Sequence, residues 1–220
     1  MATVLSDLQT MVLGLLDDIN GTYFTSNLVL YWINEAQREA QKQLLQAGDN
    51  YYVKAVTTPT VVGNQDLVLP VDFYKLHRLE SVDNMDTNSE NVFSITPVTI
   101  GQKDFVYGYQ GRPENYFLKK GHISLFPIPD QIYNVRLWYS YMVADLVNPT
   151  DVPDVPIEFV NYIVVLAAID GRLKDGRDTT DLVAKRTYYE NMLKQAARNR
   201  NQDHPRMVVI TTEESMGTFT

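Results

Sequence analysis

The chain has 220 residues, 45% of them apolar and 21% charged, with no cysteine and a formal net charge of −8. That composition supports one domain or two modest ones and excludes disorder as the general state. It also excludes a disulfide framework, a thiolate nucleophile and a zinc ribbon, and it argues against holding nucleic acid by counterion release.

The richest apolar run, 159–169, is interrupted by Asn161 and is too short for the ~20 residues of a bilayer span. Residues 1–18 carry acidic groups and no basic n-region, so no signal peptide is expected there.

In chain order, residues 2–48 read as two helices. Val4, Leu8, Met11, Leu15 and Leu16 recur at helical spacing, and Asn20-Gly21 stops the first helix. Ser26 is the expected N-cap of the second. Its inner face is Val29, Ile33, Ala36, Ala40 and Leu44, and its opposite face carries Asn34, Arg38, Gln41 and Lys42, with Gly48 at the end.

Between 51 and 145, Pro, Gly, Asn and Asp punctuate short runs rich in Val, Ile, Tyr, Phe and Thr, which is a strand texture. Expected strands are 51–57, 65–69, 74–82, 114–118, 123–126 and 133–141, with a hairpin at Lys119-Lys120-Gly121 and a polar loop over 83–90. In the last strand Val135, Leu137 and Tyr139 alternate with Arg136, Trp138 and Ser140.

Helical periodicity returns after Asp151, with Asp154-Val155-Pro156 as a start signal. The helix to about Lys174 is apolar nearly all round and demands cover on every side, from its own domain or a neighbouring chain. Phe159, Val160, Ile163 and Val164 are therefore subunit-interface candidates, together with Tyr189 and Met192 on the last helix. That helix starts near Thr179 or Thr180, and its apolar stripe is Leu182, Tyr189, Met192, Leu193 and Ala196. Beyond Pro205, Met207, Val208, Val209, Ile210, Thr211 and Thr212 form a strand-like run with no hairpin partner. Such a run gains main-chain hydrogen bonds by joining another protein's sheet edge.

The reading is α+β: a helical bundle from 1–50 and 151–204, a small antiparallel β-domain inserted at 51–150, and an extended interaction tail at 205–220.

Catalytic chemistry is sparse. His77, His122 and His204 stand apart without metal-ligand spacing, and Asp17-Asp18 and Glu213-Glu214 are adjacent pairs that do not face each other on a helix. GxSxG, P-loop and GxGxxG patterns are missing. No catalytic residue, metal site or cofactor is expected. Among the 14 tyrosines, Tyr107, Tyr109, Tyr116, Tyr133, Tyr139 and Tyr141 crowd the sheet region. They leave open a carbohydrate- or ligand-binding module, although strand propensity and interface use explain tyrosine equally. A tail-associated cell-wall hydrolase is a more distant alternative.

Several pieces recur in a telling order: Ala36-Gln37-Arg38-Glu39; Leu69-Pro70-Val71-Asp72-Phe73; Arg112-Pro113-Glu114-Asn115-Tyr116; and Ile123-Ser124-Leu125-Phe126-Pro127-Ile128-Pro129-Asp130. Asp151-Val152-Pro153-Asp154-Val155-Pro156-Ile157-Glu158-Phe159 then enters the helix containing Ala167-Ala168. Over most of its length the chain resembles the head–tail connector, or portal adaptor, proteins of tailed bacteriophages, especially short-tailed ones. The resemblance implies a structural virion protein, not an enzyme, assembled in the host bacterial cytoplasm. It implies a ring of twelve copies at the head–tail junction, between the portal protein and a tail nozzle or tube protein. DNA would pass through without being held, no membrane would be involved, and 207–220 would reach along the portal.

Overall fold

The computed structural model describes residues 3–48, 50–83, 91–99, 101 and 109–200. The expected tail at 205–220, most of the loop at 83–90, Tyr107 and His204 lie outside them.

Helix α1 (Leu5–Leu15) buries Leu5, Leu8 and Val12, with Leu16 just beyond its end. Of the expected stripe, Leu8 and Leu16 are buried and Leu15 packs against the core, whereas Met11 is 44% exposed. Apolar residues occupy two adjoining stripes of this helix, and packing against its neighbours selects one. The turn after α1 is organised by Asp18, whose carboxylate accepts the N–H groups of Thr22, Tyr23 and Phe24 at 2.8–2.9 Å. These bonds, Phe24's foremost, hold its acid below the usual range. Helix α2 (Ser26–Gln46) follows; Thr25, not Ser26, is its N-cap.

Seven strands form one sheet: β1 (Val53–Pro59), β2 (Asp66–Val68), β3 (Phe73–Asp83), β4 (Asn91–Pro97), β5 (Asn115–Lys119), β6 (His122–Phe126) and β7 (Asn134–Tyr141). Their order is β1-β7-β3-β4-β5-β6-β2. The sheet is mixed rather than antiparallel, because β4 and β5 run parallel, with Thr96 opposite Asn115. A parallel pair needs a long crossover, and the chain from 98 to 114 supplies it. β4 itself was not anticipated. The β5–β6 hairpin turns at Lys120-Gly121, where Gly121 has φ +77°. The inner side of the curled sheet carries Leu79, Ile95, Ile123, Leu125, Leu137 and Tyr139 as its own core.

Helix α3 (Val160–Lys174) follows a short 3-10 turn at Ile157–Phe159, and α4 (Thr180–Arg200) follows it. Asp178 accepts both the N–H and the hydroxyl of Thr180, fixing the start of α4. One apolar core unites all four helices and also takes in Phe24, Tyr52, Val143, Leu146 and Val155.

The apolar α3 therefore finds its cover inside the chain. Phe159, Val160, Ile163 and Val164 are between 0% and 7% exposed, packed where α1, α2 and α4 converge on α3. Their candidacy as subunit-interface residues is corrected accordingly: the other three helices plus the segment after β7 enclose this helix. Approach is so close at Gly171 that a Cβ there would lie 2.7 Å from Leu16 and 3.2 Å from the Trp32 ring.

Candidate interaction surfaces

The segment that leaves β7 and enters α3, residues 142–156, runs as an extended strap along α2. It lacks a strand partner, so its backbone groups need another source of hydrogen bonds. Three amide side chains of α2 supply them. Gln41 donates to the Tyr141 carbonyl (2.6 Å) and accepts the Val143 N–H (3.2 Å). Gln37 donates to the Ala144 carbonyl (2.9 Å) and accepts the Asp154 N–H (3.2 Å). Asn34 donates to the Leu146 carbonyl (3.1 Å) and accepts its N–H (2.9 Å).

The registers match because seven helical residues and three extended ones both cover about 10 Å. All three amides are buried. Asn34 and Gln41 were expected on a solvated face; the outermost member of that set, Lys42, is the one left exposed.

Two further clasps hold the strap. Its turn gives the Asp151 and Pro149 carbonyls to the N–H groups of Leu5 and Ser6, at 2.8 and 3.0 Å, satisfying donors that a helix N-terminus leaves open. At the far end, Tyr52 donates to the Asp154 carbonyl and Tyr141 to its carboxylate, both at 2.9 Å. Burial and that carboxylate push the Tyr141 phenol well above its usual range.

Beside the strap lies an acidic cleft of about 460 Å³, lined by Asp72, Asp145, Asp151 and Asp154 with Lys54. Lys54 pairs with Asp72 at 2.5 Å and lies 4.6 Å from the Tyr141 ring centre. Asp145 also pairs with Arg38 of α2. A second, larger groove of about 580 Å³ lies between α2, α3 and α4, with Leu45, Tyr74, Met142, Leu166 and Leu173 among its walls.

Among the described residues, those considered for chemistry do not converge. His77 Nε2 is 2.6 Å from the Ser140 hydroxyl, and desolvation lowers its pKa; His122 Nδ1 lies 3.3 Å from the Lys120 carbonyl. Among the described residues no group of three or more His, Asp or Glu is placed to hold a metal.

Among the described residues the tyrosines of the sheet region form no common platform. Tyr133 and Tyr139 are buried and donate to Asp130 and Asp72, whereas Tyr109 is 72% exposed. On α4, Tyr189 is half-buried and Met192 is exposed. Among the described residues no helix is long and apolar enough to cross a membrane.

The geometry is thus that of surfaces, clefts and braces. A comparison with curated proteins finds no match to the chain. The family model described as SU10 adaptor protein matches residues 3–212, a span that takes in every helix and strand described above. The chain therefore belongs to the SU10 adaptor protein family, whose members are structural components of phage virions that join other capsid and tail proteins.

Proposed function

We propose that this protein is a ring-forming head–tail adaptor of a short-tailed phage. Twelve copies encircle the DNA exit channel, dock on the portal protein and carry the tail nozzle or tube below. The observation that carries this reading is the family match across residues 3–212. It agrees with a chain rich in braces and poor in clustered reactive groups.

Residues 1–50 and 151–204 act as one body with 51–150 as its insertion; the apolar core shared by all four helices supports this division. Met207, Val208, Val209, Ile210, Thr211 and Thr212 are assigned to the portal contact, as an extended run suited to strand addition. Met192, exposed on α4, and Tyr189, half-buried against the helical core, remain candidates for contact with a neighbouring copy. The net charge of −8 suits a channel that lets DNA slide without binding its phosphates.

Cryo-microscopy of the protein mixed with the portal of the same virus tests the arrangement directly, and twelve copies beneath the portal is the expected image. Removing residues 205–220 should abolish docking while the circular dichroism spectrum stays intact. Undiminished docking after that deletion would refute the tail assignment.

A further inference from the structure

The groove between α2, α3 and α4 changes character along its length. Leu45, Met142, Leu166, Ile169 and Leu173 give it apolar walls. Toward the start of α2, Glu35 and Asp170 line it as neighbouring carboxylates. The arginines there are paired, Arg38 with Glu35 and Asp145, and Arg186 with Glu190. Ten residues of α2 separate Glu35 from Leu45, about 15 Å of helix. At the Leu45 end the groove shares Lys42, Leu45 and Tyr74 with a second cavity of about 430 Å³. Lys42, Lys75 and His77 line that cavity together with Gln46, Asn50 and Ser140, and among the described residues no carboxylate does. Lys75 is exposed and close enough to His77 to lower its pKa, second to desolvation. Lys42 is exposed and reaches Glu39 only at 3.7 Å.

One segment of the chain carries the same order of chemistry. Met207-Val208-Val209-Ile210 is followed by two threonines and then by Glu213-Glu214. Extended, the apolar four cover about 13 Å, and the acidic pair begins about 10 Å further on. The point of departure fits as well. Lys194 and Arg198 of α4 lie beside Gln43, Gln46 and Ala47 of α2, at the end of α2 where the two cavities join. Residues 201–206 span at most about 20 Å, which exceeds the length of the groove.

We infer that, before assembly, residues 207–214 of each chain occupy that chain's own groove, with the apolar four against its walls and Glu213-Glu214 at Lys42 and Lys75. The inference rests on the portal assignment of this run and adds where the run lies until the portal takes it. Charge sets the direction. Reversed, the two glutamates would sit beside Glu35 and Asp170, and desolvation, with Glu35 beside it, already holds the Asp170 acid above its usual range. Attachment through a short linker supplies a millimolar effective concentration, so a modest contact suffices. Seating also covers a run that would otherwise invite aggregation. Docking on the portal then exchanges one cover for another.

The chain has no cysteine, so a pair of introduced thiols reports the contact. Leu166→Cys/Val209→Cys, treated with a short bismaleimide at high dilution, is expected to give an internally linked monomer. Adding Lys42→Glu/Lys75→Glu should slow the link about tenfold, and further adding Glu213→Lys/Glu214→Lys should restore it. Thermal unfolding shows that each variant is folded. Hydrogen exchange on the unsubstituted chain needs none of them: deleting 205–220 is expected to raise exchange across 35–45 and 166–173. Links formed only between chains would overturn the inference in favour of a neighbouring copy's tail. No link, with exchange unchanged by the deletion, would overturn it and leave the portal assignment standing. Added portal is expected to abolish the internal link; a link that persists in the docked complex would keep the seat and overturn the portal assignment.

Discussion

The helical layer and the strap that crosses it are built on opposite chemical plans. The helices meet through apolar surfaces, with Leu8, Val12, Ile33, Ile163 and Ala167 wholly buried. The strap is held against α2 by paired hydrogen bonds from Asn34, Gln37 and Gln41. Apolar contact is strong but tolerant of small slips, because its strength follows buried area. Asn34 and Gln41 each donate to and accept from one short stretch of backbone, and Gln37 ties the strap's two arms at Ala144 and Asp154, so only one alignment satisfies all three. The helices gain cohesion from the first plan, and the strap gains a defined position from the second.

Substitutions can break either half of this contrast. The largest effect is expected in the apolar layer: Ile163→Ala should cost about 2–5 kcal/mol, read as a lower urea midpoint. Next, Gln37→Ala removes the bonds to the Ala144 carbonyl and the Asp154 N–H, at about 0.5–1.5 kcal/mol for each bond. Amide hydrogen exchange should locate that loss, with protection falling across the strap and holding in the β5–β6 hairpin. Unchanged exchange in the strap would show that the amides are incidental. Gly171→Ala should cost about 1–3 kcal/mol, since the added methyl meets the fully buried Leu16.

Acid should probe the polar devices selectively. Asp18 has its pKa lowered chiefly by the Phe24 N–H, and Asp151 by the Val147 N–H. A carboxyl whose folded pKa lies below its unfolded value stabilises the fold above the unfolded value, near 3.8, and loses that contribution as pH falls through the folded value. Chemical-denaturation midpoints should therefore hold between pH 7 and 5 with respect to these two groups and decline below about pH 4. Asp18→Asn should flatten part of the decline.

The smallest effect is expected at Tyr162, whose buried hydroxyl lacks a hydrogen-bond partner among the described residues. Tyr162→Phe removes a desolvated polar atom without losing a bond, so the thermal midpoint should stay level or rise slightly.

Much of the architecture was legible in the residue pattern. The helices, the hairpin glycine and the alternation in β7 followed from spacing and turn chemistry, and the order of short motifs pointed to the adaptor family. Three features escaped for physical reasons. β4 carries Phe93 and Ile95 in alternation, but it sits beside a polar stretch, and its parallel partner lies far along the chain. The cover of α3 was underestimated because Tyr52, Val143, Leu146 and Val155 join the helical core from segments that read as sheet or connection.

Asn34 and Gln41 of α2 were misplaced because polarity was equated with solvent. Asn34, Gln37 and Gln41 share a helical stripe that carries no charge, and that is the signal that could have marked them. A surface stripe would ordinarily include Lys, Arg or Glu, as the neighbouring Arg38 and Lys42 do. For the surfaces themselves the sequence offered only residue types: the acidic cleft gathers Asp72 with Asp145, Asp151 and Asp154, positions that only the fold brings together.

The direction of the strap has a mechanical consequence. Its amide bonds lie across the chain path, so tension drawn between sheet and helices strains them in shear, all together, instead of peeling them one after another. In the adaptor role proposed above, a seam of that kind suits a joint that must bear load before it yields. Stretched from residue 60 and residue 190, the molecule should resist until Asn34, Gln37 and Gln41 release at once.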